Sequence, residues 1–365
     1  MQGRADPRFA GVAEVFGDLL AQGECGGVCL RVDGRTVVDL WGGPGWRADS
    51  LICIFSVTKG VLSVLAHRLI NRGLLSPDDP VARHWPAFAA QGKGAITVMD
   101  VLTHRAGLPA VSGPVERGDL YDWDRMVGHL AASAPVVPAR AAPVYHNMTY
   151  GHLLGEVLCR AAGVRPLSAL LRAELTGPLG ADLHLGLSVA DQARVVPVRQ
   201  DDPAALFRAL DAEPDSLFAR SMAFFGRGED FNSAAWRGAA IGSGSGHASA
   251  RSVALVYEAL LSGDRLSPDR RRAARQRMVE SDGADPILGV PITYAQGFEM
   301  TRPPGIDLGP GAATMGHWGA GGATGFADPE AGLAFGYVTA NMAPGMGSSD
   351  RARALIAASY AALGG

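Results

Sequence analysis

The chain has 365 residues, 47% of them apolar and 19% charged, which is the make-up of a globular protein with one large or two ordinary domains. A formal charge of −3 gives no electrostatic reason to expect nucleic acid or an anionic membrane as a partner. The first twenty residues mix Arg, Asp and Glu with short apolar pieces rather than following a basic stretch with an apolar one, and no later run of about 18 apolar residues predicts a membrane span, so a cytoplasmic location is expected.

Gly26 to Gly43 (GGVCLRVDGRTVVDLWGG) predicts a hairpin, with Asp33-Gly34 as the turn between two apolar runs. Leu51 to Phe55 predicts a short strand, followed by a helix with Val61, Leu62, Leu65 and Leu69 on one face and Gly73 as its stop. Leu74 to Pro86 is Pro- and Asp-rich and predicts a connector. From there to about Arg237 the pattern is short helices and Pro/Gly loops, including a helix capped by Thr149 and ended by Gly163. Strand character returns at Gly332 to Asn341, and Arg351 to Leu363 predicts a terminal helix. Strands at both ends with helices between them predict a mixed α/β (α+β) fold. Residues 1–80 and 240–365 would build an antiparallel sheet flanked by helices, and residues 81–239 an inserted all-helical domain.

The cysteines, Cys25, Cys29, Cys53 and Cys159, lie in apolar surroundings and read as buried thiols. Their spacing matches no zinc site and His-Glu-x-x-His is absent, so neither a metal nor another cofactor is expected.

Of 33 basic residues, only Lys59 and Lys93 are lysine. Lys59 closes Phe55-Ser56-Val57-Thr58-Lys59 at the start of the predicted helix, where Ser56 and Lys59 share a face. Ser56 would sit at the positive helix end, whose amides favour a developing anion. A serine hydroxyl needs a base, and a buried lysine can serve where an arginine cannot. The plainer reading is a capping serine and a surface lysine. Tyr145-His146-Asn147 lies on a loop before the Thr149 helix. Beside a lysine ammonium the Tyr145 phenolate is favoured and can accept a proton, and the Asn147 amide can hold both the lysine and a substrate carbonyl; alone, it would be a half-buried loop tyrosine. His317-Trp318-Gly319-Ala320 can bring backbone amides close to a substrate, or be simply a Gly-rich turn.

Taken together, these segments resemble the serine β-lactamase-like superfamily, in particular the class C β-lactamase-related branch that includes family VIII carboxylesterases. Ser56-x-x-Lys59 matches its first motif, Tyr145-x-Asn147 its second, and His317-x-Gly319 stands in the place of the third. Leu40–Gly43, Leu102–Leu108 and Ser243–Ser252 look similar as well, so the likeness runs from about Gly26 to Asn341. The resemblance implies a β-lactamase/penicillin-binding-protein-like fold with the site in a cleft between the mixed and helical domains. It implies acylation of Ser56, proton transfer shared by Tyr145 and Lys59, and an oxyanion hole made by the amides of Ser56 and Ala320.

Where β-lactam-hydrolysing members open the third motif with lysine, this chain has His317 and the bulky Trp318, which is expected to shape the pocket. A neutral histidine binds an anionic β-lactam carboxylate less well than a lysine does. Small-molecule esters are therefore the expected substrates, with acyl transfer to alcohols as a side reaction. An amidase or D-amino-acid peptidase, a weak β-lactamase and a catalytically silent ligand-binding relative are the competing readings. An α/β-hydrolase is disfavoured because no Gly-x-Ser-x-Gly occurs.

Overall fold

The computed structural model describes residues 1–116, 118–202, 205–225 and 230–364. The predicted hairpin is present as β2 (Gly26–Val32) and β3 (Arg35–Gly42), and both turn residues, Asp33 and Gly34, take positive φ, as a two-residue turn between twisted strands requires. These strands join β1 (Gln2–Ala5), β7 (Val279–Ala284), β8 (Pro291–Tyr294), β9 (Glu299–Met300), β10 (Met315–Trp318), β11 (Thr324–Asp328) and β12 (Leu333–Thr339) in an antiparallel sheet ordered β1-β3-β2-β12-β11-β10-β9-β8-β7. The two ends of the chain thus meet at the β2–β12 pair. A second sheet of order β4-β6-β5 contains Ile52–Cys53, Leu183–Leu185 and Gly246–Ala248 as β4, β5 and β6.

The two faces of the main sheet pack differently. In β12 the large residues Leu333, Phe335 and Tyr337 point with Val28 and Leu30 into a core closed by helices α1 (Ala10–Ala21) and α5 (Asp350–Leu363). The alternate positions, Ala334 and Gly336, are small. A Cβ on Gly336 would lie 2.3 Å from the Ala250 carbonyl oxygen, so glycine lets the helix Ala250–Glu258 lie directly on the opposite face.

Helix α2 (Val57–Asn71) packs against β10 on one side and against helix α3 (Thr149–Ala162) on the other. One apolar cluster contains Val61 and Leu65 of α2 together with Val101, Leu153 and Leu154, so the nucleophile's helix shares its core with the helical stretch. Among the described residues, the chain from Val81 to Gly238 forms helices and the one short strand β5.

Two expectations need correction. The sequence pattern does not reveal β1 or α1 at the N-terminus, because neither shows clean periodicity. Thr149 is the first residue of its helix rather than the cap: its hydroxyl donates to the Leu108 carbonyl at 2.6 Å, and Met148 occupies the capping position. Gly163 ends that helix in the left-handed conformation, as expected. Among the described residues no helix is long and apolar enough to cross a membrane.

Candidate active site

Ser56 stands immediately before the first turn of α2, at the N-cap position, yet its side chain makes no capping hydrogen bond. Phe55, just ahead of it, has φ of 45°, a conformation disfavoured for a bulky residue. The chain therefore turns sharply into α2 and leaves the hydroxyl free at the positive end of the helix dipole.

Lys59 follows one turn later and is fully buried. Its Nζ lies 2.9 Å from Ser56 Oγ and donates to the Ser243 carbonyl at 2.8 Å. Burial lowers its pKa to about 7, partly opposed by the charge of Glu299. A substantial share is therefore neutral near pH 7, with a lone pair on the nitrogen beside the serine hydroxyl. Asn147 does not hold the lysine: its amide donates to Met222 Sδ at 2.9 Å. The holding role belongs to Ser243, whose hydroxyl accepts from the Gly151 amide and donates to the Met148 carbonyl, each at 2.7 Å, tying its Gly-rich loop to the start of α3.

Tyr145 enters from the loop before α3. Lys59 Nζ sits 4.7 Å from its ring centroid, a cation–π distance when the amine is protonated. The Tyr145 main chain is held by the Asp285 carboxylate, which accepts its amide at 2.8 Å. On its ring stacks His104, whose Nδ1 accepts the His146 amide at 2.8 Å. His146 in turn accepts the Leu108 amide through Nε2 at 3.0 Å. The segment Leu102–Leu108 thus positions the tyrosine. Its protonation differs from the expectation. Burial, followed by the nearby Glu299 charge, pushes the hydroxyl well above the usual tyrosine value, so the phenolate is disfavoured. The Ser56 hydroxyl faces it closely enough to pull the other way, but the Tyr145 hydroxyl completes no hydrogen bond.

The third segment forms β10 and the turn after it. A Cβ on Gly319 would lie 2.4 Å from the Ile54 carbonyl oxygen and 3.3 Å from the Ser56 nitrogen, so only glycine brings this backbone alongside the nucleophile. Ala320 follows, next to the tight turn in which the Gly322 amide donates to the Gly319 carbonyl. His317 is buried, and its Nδ1–H donates to the Trp318 carbonyl at 2.6 Å. Burial and the Lys59 charge lower its pKa to about 3, so it is neutral, as expected. Trp318 is also buried, with its indole nitrogen unpaired.

The sequence reading missed Glu299. This carboxylate is fully buried beside β10, where Oε2 accepts the Trp318 amide at 3.2 Å and lies 3.4 Å from His317 Nδ1. Burial raises its pKa to about 8, against the lowering effects of the Trp318 amide and Lys59. Among the described residues no three His, Cys, Asp or Glu side chains converge as a metal ion would require.

The arrangement can therefore carry out acyl transfer: a free serine hydroxyl at a helix N-terminus, a buried amine that accepts its proton, and backbone amides beside it. A family model described as Beta-lactamase matches residues 9–359. The Esterase/beta-lactamase LipL of Mycobacterium tuberculosis is 35% identical over 370 residues, covering 92% of this chain and 82% of that protein. Among solved structures, a family VIII carboxylesterase is 33% identical with a TM-score of 0.85, covering 99% of each chain. EstA from Arthrobacter nitroguajacolicus Rue61a is 30% identical with a TM-score of 0.89, covering 100% of this chain and 99% of that one.

Proposed function

The chain belongs to the beta-lactamase family, and we propose that within it the protein is a serine carboxylesterase that works through an acyl-enzyme on Ser56. The observation that carries this reading is the 2.9 Å approach of a buried, low-pKa Lys59 to the Ser56 hydroxyl. In the resting enzyme the neutral amine accepts a hydrogen bond from Ser56 Oγ–H while one of its own N–H groups remains on the Ser243 carbonyl.

When a substrate carbonyl enters, Ser56 Oγ attacks it and its proton passes to Lys59. The amides of Ser56 and Ala320 receive the developing oxyanion. Tyr145, which keeps its proton, gives it to the leaving alkoxide and is reprotonated from Lys59. Water then repeats the sequence on the acyl-enzyme, and an alcohol in its place gives acyl transfer. Gly319 keeps this backbone close, and Asn147, on the same loop as Tyr145, contributes its amide to the substrate carbonyl after leaving Met222.

The neutral His317 and bulky Trp318 favour neutral esters over substrates carrying a carboxylate, since no fixed cation stands at the third motif. We divide the chain functionally into a mixed domain, residues 1–80 and 240–365, and a helical domain, residues 81–239, that form opposite walls of the cleft. The four unpaired, buried cysteines support a cytoplasmic setting.

The test is to assay the protein and its Ser56→Ala variant on p-nitrophenyl butyrate and a chromogenic cephalosporin. Ester turnover that disappears in the variant, with little cephalosporin cleavage, is the expected result. Preferred turnover of the cephalosporin would make the protein a β-lactamase, and full ester activity in Ser56→Ala would remove Ser56 as the nucleophile.

A further inference from the structure

Glu299 has no part in the scheme above, yet it lies at the centre of the buried cluster beneath it. It sits on β9, opposite Gly316 of β10. Oε2 is engaged by the Trp318 amide, while Oε1 is buried with no hydrogen-bond partner. An orphaned carboxylate oxygen at such a depth is costly unless a charge nearby compensates it. The groups that face it are Lys59 from α2, Tyr145 from the loop before α3, Tyr257 from the helix on the sheet, Tyr294 from β8, His317 from β10, and Asp285 from the loop after β7. His317 is neutral and the three tyrosines keep their protons, which leaves Lys59 as the cation in the group.

We infer that Glu299 is the positioning residue for the base: its carboxylate is the buried counter-charge that stabilises the Lys59 ammonium formed when Ser56 attacks, while its bond to the Trp318 amide fixes the strand leading to Gly319 and Ala320. This rests on the acyl-enzyme reading of Ser56. In the step concerned, the Ser56 Oγ electron pair forms the new C–O bond and the carbonyl π pair moves onto oxygen. The Oγ–H proton goes to the Lys59 lone pair. The negative charge on the oxyanion and the positive charge on Lys59 appear together, the first at the backbone amides and the second above Glu299. With a neutral group in its place, the ammonium would form in a buried site with no opposing charge. The same carboxylate raises the pH at which Lys59 loses its proton in the resting enzyme, so removing it moves that ionisation down.

The experiment is a kcat/KM profile from pH 5 to 9 on p-nitrophenyl butyrate for the wild type, Glu299→Gln and Glu299→Asp, with thermal melting of each. In Glu299→Gln the acid limb moves down by about half a pH unit or more and the plateau falls about tenfold or more. Glu299→Asp, which keeps the charge, recovers most of both. A folded Glu299→Gln with a lower plateau and an unmoved acid limb would overturn the inference and leave Glu299 as a brace for Trp318 alone. If Glu299→Gln does not fold, carbon-13 NMR of labelled glutamate in the wild type and Lys59→Met decides the matter. The inference requires one carboxyl titrating well above the others, with its midpoint rising once Lys59 is removed; a midpoint that stays put overturns it. Activity that survives Ser56→Ala would instead defeat the acyl-enzyme reading itself, so the two failures are separable.

Discussion

The chain's two lysines, Lys59 and Lys93, are both buried and sit in opposite kinds of site. Lys93 lies in the 3₁₀ segment Pro86–Ala95 and donates to three backbone carbonyls, those of Ala90 at 2.9 Å, Ala131 at 3.0 Å and Ser133. All three ammonium protons are used, on acceptors that need them. Lys59 has only the Ser243 carbonyl and the Ser56 hydroxyl, with the Tyr145 ring on its open side. A neutral amine satisfies both partners, one as donor and one as acceptor, whereas at position 93 deprotonation would leave a carbonyl unpaired. In both sites a compact ammonium on a flexible stem reaches acceptors that a planar guanidinium fork could not, which accounts for lysine in a chain that otherwise uses arginine. The difference lies in the number of acceptors: three make a structural tie, and one acceptor plus a hydroxyl make a base.

The same substitution at each position tests this contrast most strongly. Lys59→Met is expected to lower kcat/KM for p-nitrophenyl butyrate by about a thousandfold, in the range for removal of a positioned base, with a melting temperature close to the wild type. The stability is kept because an apolar chain of similar volume relieves the cost of burying an amine. A variant that retained more than about a tenth of the activity would break the contrast, since Lys59 would then be structural as well.

How far this was legible in the sequence follows from chain distance. Ser56 and Lys59 are one helical turn apart, and Tyr145 and Asn147 share a loop, so short motifs display them. The hairpin around Asp33-Gly34 was readable for the same reason, and so was the strand Leu333–Thr339 from its apolar run. Glu299 and Ser243 were not readable. Glu299 reaches His317 and Trp318 only through the β9–β10 register, and Ser243 reaches Lys59 across 184 positions through its carbonyl, a group every residue carries. The Gly-Ser-Gly-Ser-Gly stretch around Ser243 did signal a tight turn, but its side-chain pattern says nothing about which backbone oxygen it presents. The protonation of Tyr145 was misread for a related reason: the sequence shows the lysine beside it, while burial and a carboxylate from a distant strand decide the outcome.

Lys93→Met is expected to give the complementary result. It leaves the carbonyls of Ala90, Ala131 and Ser133 buried without their shared donor, at a cost of about 2–4 kcal/mol. Denaturant or thermal unfolding should show that loss, while kcat per folded molecule stays at the wild-type level. Loss of turnover without loss of stability would mean that this end of the helical stretch reaches the cleft, and the division of labour between the lysines would fail.

The smallest expected effect is on the wild type, and it discriminates between the two bases. If Lys59 accepts the Ser56 proton, it must be neutral in the free enzyme. Its pKa is lowered to about 7, so kcat/KM should rise with pH through that value, reach a plateau above it, and fall about tenfold for each unit below. A Tyr145 phenolate as the base would behave otherwise. Burial raises that hydroxyl far above 10, so activity limited by its ionisation would still be climbing at pH 9. His317 and His146, lowered by burial to about 3 and about 4, are already neutral over the range and cannot produce a limb near 7. A profile that turns over near pH 7 therefore assigns the proton to Lys59, and one that rises without a plateau to pH 9 assigns it to Tyr145.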